Sequence, residues 1–342
     1  MPDAYPLTFE PILKEKVWGG RRLSSLGKTL PTDDGRLVGE SWEIADLAST
    51  DPGGGGGESA RSVISNGVMA GQTLAAAIDA HGTDLLGDVS LTGDGGFPLL
   101  VKYLDAREHL SVQVHPSPAY AAAHADAHLK TECWYVVQAE PGSKLFVGID
   151  ADVSADDFRA HIEAGTVADV LIEVDAVPGE MHLLPSGTCH ALGAGVLVAE
   201  VQTPSDTTYR VYDWTKEYAR PERTLHIEQA LACIDFGPGA ASAPEPVRLG
   251  SSDREGRLTT TEYFAVDELR LMSATRPLGA SSDGPVVLMA IDGSGVLQAG
   301  DGSFDDVRFS PGTTVLVPAA CVAKAVLSGG PSTKLLRVTV SG

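Results

Sequence analysis

The sequence has few aromatics, few basic residues and no long apolar run. Phe, Trp and Tyr make up 6% of the 342 residues, while glycine alone occurs 38 times. That balance fits short strands joined by tight turns. Lys and Arg number 25 against 46 Asp and Glu, for a net charge of −21. Nucleic acid and anionic membrane both require a basic footprint, so neither is expected as a partner. A small anionic substrate remains open, but any phosphate would have to be met by a local cluster of Lys, Arg or metal charge. No apolar run is long enough to span a bilayer. The start, Met1-Pro-Asp-Ala-Tyr5, lacks the basic opening and apolar core of a secretory signal, so a cytoplasmic location is expected. The four cysteines, Cys133, Cys189, Cys233 and Cys321, form no CxxC pair, which excludes a zinc knuckle or a thioredoxin-like motif. They are expected as free, small core residues.

What is present is organised around Leu110-Ser-Val-Gln-Val-His-Pro116. A strand sends alternate side chains to the same face. Ser111, Gln113 and His115 then form a polar row, and Val112 and Val114 point to a core. Lys130-Thr-Glu-Cys-Trp134 places Lys130, Glu132 and Trp134 on one face, and His190 follows a turn marked by Pro185 and Gly187. By the same alternation Cys133 and Cys189 face the other way. Gln113, His115, Glu132 and His190 are expected to meet around one divalent metal. Two imidazoles and a carboxylate suit zinc, with manganese, iron or cobalt as alternatives, and an amide oxygen would be a weak fourth ligand. His81, His109, His124, His128, His161, His182 and His226 are set aside as ligands.

Along the chain, Gly39–Ile44 reads as a strand with Trp42 and Ile44 on one face. The Gly53–Gly57 run reads as a surface loop without the lysine and helix of a phosphate-binding loop. Helical spacing runs over Thr73–His81. The alanine-rich Ser117–His128 reads as a helix with Ser117 as cap. Cys133–Gln138 and Lys144–Ile149 flank Pro141-Gly-Ser as a hairpin. Helices are expected at Ser154–Ala164 and His226–Ile234, and Gly237–Pro246 reads as a linker. Strands fill the remainder. Pro178–Pro185 aligns with Pro311–Pro318 as a weak repeat, in which His190 falls on Ala323. Repeated short strands with Gly and Pro punctuation favour jelly-roll barrels of the cupin type. The expectation is a mainly β chain of two cupin-type barrels with a few short helices in or beside the first. Residues 1–236 would form the catalytic domain and 247–342 a degenerate barrel.

Further charged groups lie near the polar row in sequence: Lys130 on the face of Glu132, Glu200, and Arg210 in Ser205-Asp-Thr-Thr-Tyr-Arg210. An Arg suits phosphate by its planar, permanently charged fork. At these residues the chain resembles the type I mannose-6-phosphate isomerases (phosphomannose isomerases) in their short bacterial form. The resemblance runs from Phe9–Leu23 through Gly39–Ile44, Phe97–Lys102, Leu110–Pro116, Lys130–Tyr135 and Pro185–Ala191 to Ser205–Trp214, and is weak beyond Ile234.

That resemblance implies a zinc-dependent cupin enzyme interconverting mannose 6-phosphate and fructose 6-phosphate, one ion per chain. The ligands would be His115, Glu132 and His190, with Gln113 as fourth. The active-site arginine would be Arg210, and Lys130, Glu200 and Ser111 would lie near the substrate. Arg210, Glu200 and Lys130 are thus the expected catalytic residues, and Ser111, Lys130 and Arg210 the expected contacts to a phosphorylated hexose. A monomer or weak homo-oligomer is expected. The alternatives are a metal-binding cupin that binds or senses a sugar without turnover, and an isomerase for another sugar.

Overall fold

The computed structural model describes residues 4–31, 35–50, 56–237, 244–279 and 284–341. Residues 53–55 of the glycine run and 238–243 of the linker lie outside them. The principal strands of the first part, in chain order, are β1 (Leu7–Glu10), β2 (Ile12–Gly20), β3 (Val38–Ile44), β4 (Leu100–Ala106), β5 (Val112–Val114), β6 (Glu132–Ala139), β7 (Lys144–Ile149), β8 (Leu171–Asp175), β9 (Glu180–Leu184), β10 (His190–Leu192), β11 (Val196–Gln202) and β12 (Tyr209–Tyr212). The remainder supplies β13 (Glu255–Thr260), β14 (Phe264–Arg270), β15 (Val286–Asp292), β16 (Gly295–Ala299), β17 (Val307–Phe309), β18 (Thr314–Val317), β19 (Ala325–Gly329) and β20 (Lys334–Val340). The fold is mainly β, as the punctuation by Gly and Pro implies.

The principal strands build four sheets that stack face to face, beside a small two-stranded sheet of Asp46–Leu47 and Ala60–Arg61. The first runs β8-β7-β10-β5-β12. The second runs β9-β6-β11-β4-β2-β3, with a short Val247–Arg248 strand beside β9. The third runs β13-β14-β20-β15-β18-β1, and the fourth contains β19-β16-β17. Strand alternation decides what lies between them. Trp134, Val136 and Val198 of the second sheet meet Leu145, Val147 and Leu192 of the first. On its other face the second sheet sends Tyr103, Tyr135 and Ala199 against Phe264, Val266 and Leu336 of the third. Leu269 and Leu288 of the third pack on Leu297 and Leu327 of the fourth. Because the second sheet is covered on both faces, β4 and β11 are buried at every position. Polar links also cross this stack: between the second and third sheets, Tyr135 Oη donates to Glu268 Oε2 at 2.8 Å and Tyr103 Oη to Ala290 O at 3.3 Å.

Helices cover the outer face of the first sheet. Phe158 and Ile162 of Ala155–Ala164, and Ala230 and Cys233 of Ile227–Cys233, pack on Val112, Val114 and Val211. Ser154 caps its helix reciprocally with Asp157, which gives the run a defined start. β1 pairs with β18, Leu7 opposite Leu316, so the first strand of the chain lies in the third sheet. The division at residues 236 and 247 remains a proposal.

Three local expectations are corrected. β6 and β7 are not a hairpin: β6 pairs with β9 and β11, and β7 with β8 and β10. Pro141-Gly-Ser turns the chain from one sheet to the next, so apolar residues of β6 and β7 face each other across the core instead of pairing edge to edge. The helix after His115 spans only Pro118–Ala123, correctly capped by Ser117. His124 Nδ1 bonds Tyr120 O at 2.9 Å, taking the carbonyl that a continuing helix would use. Trp42 and Ile44 enter different clusters, because the pairing of β3 with β4 shifts register between them.

Candidate metal centre and its cleft

The polar row of the first sheet faces the second sheet, and the two together enclose the site. His115 follows β5, His190 opens β10 directly opposite Gln113, and Glu132 opens β6. His190 Nε2 lies 3.1 Å from Glu132 Oε1, and His115 Nε2 lies 3.5 Å from Glu132 Oε2. One donor atom from each of the three falls within 4.8 Å of the others. All three side chains are buried, at 0–1% exposure.

The imidazoles are held in the orientation that a metal requires. His115 Nδ1 donates to Thr207 O at 3.0 Å, and His190 Nδ1 donates to Thr188 O at 2.8 Å. A carbonyl can only accept, so each Nδ1 carries a proton and each Nε2 is turned inward. Burial, with Lys130 beside it, pushes His115 down to about 3, which keeps it neutral. Burial alone would push Glu132 up, but the Lys130 ammonium beside it holds the carboxylate well below its usual range. His115 Nε2 and both oxygens of Glu132 are buried without a directed hydrogen bond. Lys130 Nζ stands 2.8 Å from Glu132 Oε2 as an ion pair. Buried acceptors left in this way are costly, and a cation among them would satisfy all three. The donor set therefore fits a divalent metal.

Gln113 presents its amide nitrogen 3.4 Å from His190 Nε2, while its Oε1 lies 3.3 Å from Ser111 Oγ. To serve as a ligand it would turn the amide over. The other seven histidines stand outside this cluster. Cys133 and Cys189 point away from it, into the cores on the far faces of their strands, and all four thiols are free and buried.

Lys130 and Gln113, which touch the cluster, also line a small cleft of about 60 Å³. Lys16, Lys102, Lys130, Arg210 and Arg223 line it, against Glu40, Glu200 and Asp206. In a chain of net charge −21, five cations to three carboxylates is a local reversal of sign. Ser111 and Gln113 also line it. Glu200 is fixed by Trp134 Nε1, which donates to Oε2 at 2.8 Å, and by Lys102 Nζ, 3.0 Å from Oε1. Arg210 Nη1 donates to Thr224 O at 3.0 Å. Arg223 is braced by Asp213, its Nε donating at 2.6 Å.

Sequence reading did not single out Lys102, Glu40, Lys16, Asp206 or Arg223. Lys102 carried a signal, as the one charge in the apolar run Phe97–Leu104. It extends over Trp42, 4.9 Å from the ring centroid, and donates to Gln202 Oε1 at 2.7 Å. Burial pushes Lys102 down, but Glu200, Glu40 and Glu132 outweigh it, so its net direction is up.

Glu40 is held by Lys16 at 3.1 Å and by Trp42 Nε1 at 2.6 Å. Burial would raise its pKa, but Lys16 and Lys102 bring it down to about 2 from an ordinary 4.5. A depressed carboxylate stabilises the fold above its unfolded pKa and loses that contribution as pH falls through the folded one. The difference corresponds to about 3 kcal/mol. Glu40→Gln is expected to flatten the decline in stability between pH 4.5 and about 2, read from denaturant midpoints at a series of pH values. An unchanged pH slope would show that the pair does not operate in solution.

Layered β-sheets enclosing two histidines and a carboxylate beside a basic cleft define a cupin-type protein with a candidate metal centre. Residues 7–141 match the family described as phosphomannose isomerase type I, catalytic domain. The chain is 34% identical over 320 residues to mannose-6-phosphate isomerase ManA of Bacillus subtilis, covering 92% of this chain and 93% of that one. The crystal structure of the mannose 6-phosphate isomerase from Bacillus subtilis superposes with a TM-score of 0.81 at 29% identity, covering 98% of this chain and 100% of that one. A mannose 6-phosphate isomerase solved with zinc and yttrium shares the fold, with a TM-score of 0.70 at 17% identity over 99% of this chain and 100% of that one. The chain belongs to the type I mannose-6-phosphate isomerase family.

Proposed function

We propose that this chain interconverts mannose 6-phosphate and fructose 6-phosphate through an enediol, with zinc at His115, Glu132 and His190. The observation that carries the reading is the buried triad, its Nε2 atoms and carboxylate aimed inward, beside a cleft with surplus positive charge. Two imidazoles and a carboxylate are a catalytic zinc donor set that keeps a position open. When bound, the ion would polarise the sugar carbonyl and hold neighbouring oxygens in a cis arrangement.

The residues of the chain then have distinct tasks. Going from aldose to ketose, a proton leaves C2 and one is delivered to C1, while a hydroxyl proton passes from O2 to O1. Lys130 Nζ and the Glu200 carboxylate, both lining the cleft, are proposed to move these protons. Lys102 and Trp134 orient Glu200. Arg210 is proposed to meet the phosphate or the developing anionic oxygens, with Ser111 and Lys130 as further contacts. No helix among the described residues is long and apolar enough to cross a membrane. A cytoplasmic location, a phosphorylated hexose as partner and a monomeric or weakly associated state are part of the same proposal.

A coupled assay with mannose 6-phosphate against a panel of other aldoses, with metal analysis of the same sample, tests it. Turnover confined to mannose 6-phosphate, abolished by chelator and restored by zinc, is expected. Metal without turnover on any sugar would favour a binding or sensing role, and turnover of a different aldose would reassign the substrate.

A further inference from the structure

We infer that His226 positions Arg210, and that the segment Thr224–His226 serves as a substitute strand at the edge of the first sheet. The inference rests on the proposed contact between Arg210 and bound substrate. β12 is an edge strand, with β5 as its ladder neighbour in that sheet. An edge leaves outward N–H and C=O groups without ladder partners. The register with β5 also shifts between Arg210 and Tyr212, so the ladder is interrupted where the arginine sits. Sheet pairing alone therefore holds this residue weakly.

His226 supplies the missing support from two atoms at once. The Arg210 backbone N–H donates to His226 Nδ1 at 3.3 Å, and the His226 backbone N–H donates to Arg210 O at 2.8 Å. Two residues earlier, Thr224 O accepts from Arg210 Nη1 at 3.0 Å. The backbone and the guanidinium of Arg210 are thus tied to the same three-residue segment. That segment is anchored at both ends. Arg223 pairs with Asp213 on one side. On the other, His226 O accepts from Ala230 N at 2.9 Å, opening the helix Ile227–Cys233 that packs on the outer face of the sheet. A planar fork must be aimed as well as charged, so a small rotation of this backbone moves its donors away from their target.

The test compares His226→Ala with His226→Asn, because the Asn Oδ1 lies one bond from Cγ, as Nδ1 does, and can accept the same hydrogen bond. With mannose 6-phosphate, His226→Ala is expected to lower kcat/KM by about 10- to 100-fold, chiefly through kcat, at unchanged metal content. His226→Asn is expected to recover most of the loss. In an Arg210→Ala background, His226→Ala is expected to add nothing. The same fold-loss in both backgrounds, or full activity of His226→Ala, would overturn the inference. Full activity of Arg210→Ala would overturn it together with the role of Arg210.

A second readout does not depend on turnover. The Arg210 Nε–Hε resonance, identified by its loss in Arg210→Lys, is expected to shift in His226→Ala and to stay in place in His226→Asn. If the protein failed to turn over mannose 6-phosphate, the proposed function would fall and this resonance would still decide the positioning. A resonance unmoved by His226→Ala would overturn it. Should His226→Ala fail to fold, His226→Gln, which carries its acceptor one bond further out, replaces it in each comparison.

Discussion

His190→Ala is expected to bring metal content from one ion per chain to near zero and to lower turnover by at least about a thousandfold. The magnitude follows from the several kcal/mol that a bound cation contributes when charge develops on oxygen. The proposed centre has three anionic or imidazole donors, and their spacing leaves no redundancy. Losing His190 would leave Glu132 facing His115 and Lys130 alone. The fold should persist, because the residues of β10 that pack in the neighbouring cores are Ala191 and Leu192. Metal analysis after gel filtration, thermal melting and the coupled assay check the three parts of the expectation together. A metal-free His190→Ala protein with full turnover would end the proposed role of the ion.

Arg210→Ala is expected to keep its metal and lose kcat by about 100- to 1000-fold, the usual effect of removing one donor aimed at developing charge. The arginine is buried in the wall of the cleft, so its charge acts in a medium that screens it poorly. Arg210→Lys should fall between the wild type and Arg210→Ala, since an ammonium replaces a planar fork with a point charge. Separate measurement of kcat and KM distinguishes support of the transition state from uniform binding of the phosphate. Full kcat/KM in Arg210→Ala, with metal present, would remove this residue from the mechanism.

Of the metal cluster, His115 was legible from strand alternation, and the resemblance joined Glu132 and His190 to it. Strand alternation puts Gln113 and His115 on one face and their valine neighbours on the other, and a polar row that a core would reject without partners marks a site. The same rule set Cys133 and Cys189 apart from the ligands beside them. The cation cluster was legible only as a requirement, from the charge of −21, without most of its members. Lys102 sits in an apolar run, and its role depends on Glu200, Gln202 and Trp42 arriving around it from β11 and β3. Glu40 and Lys16 likewise acquire meaning only as a pair across β2 and β3.

Where local signals failed, they failed at junctions. Pro141-Gly-Ser announces a turn, but a turn sequence does not say whether the strands it joins will share a sheet. Trp42 and Ile44 stand two apart and still enter different cores, because a register shift breaks the alternation between them. Ser117 and Pro118 begin a helix as read, whereas its end was set by a side chain competing for a carbonyl.

By itself, the sequence determined the mainly β character, the starts of the short capped helices, the faces of the regular strands and the residue types of the metal cluster. All of these follow from periodicity and side-chain chemistry within a few residues. Only the tertiary structure decided which sheets face each other, that β1 joins strands from the far end of the chain, which cations gather beside the cluster, and what holds Arg210 at its edge. Those outcomes depend on burial and on partners distant in sequence, and the energy that selects them exists only when the sheets are stacked.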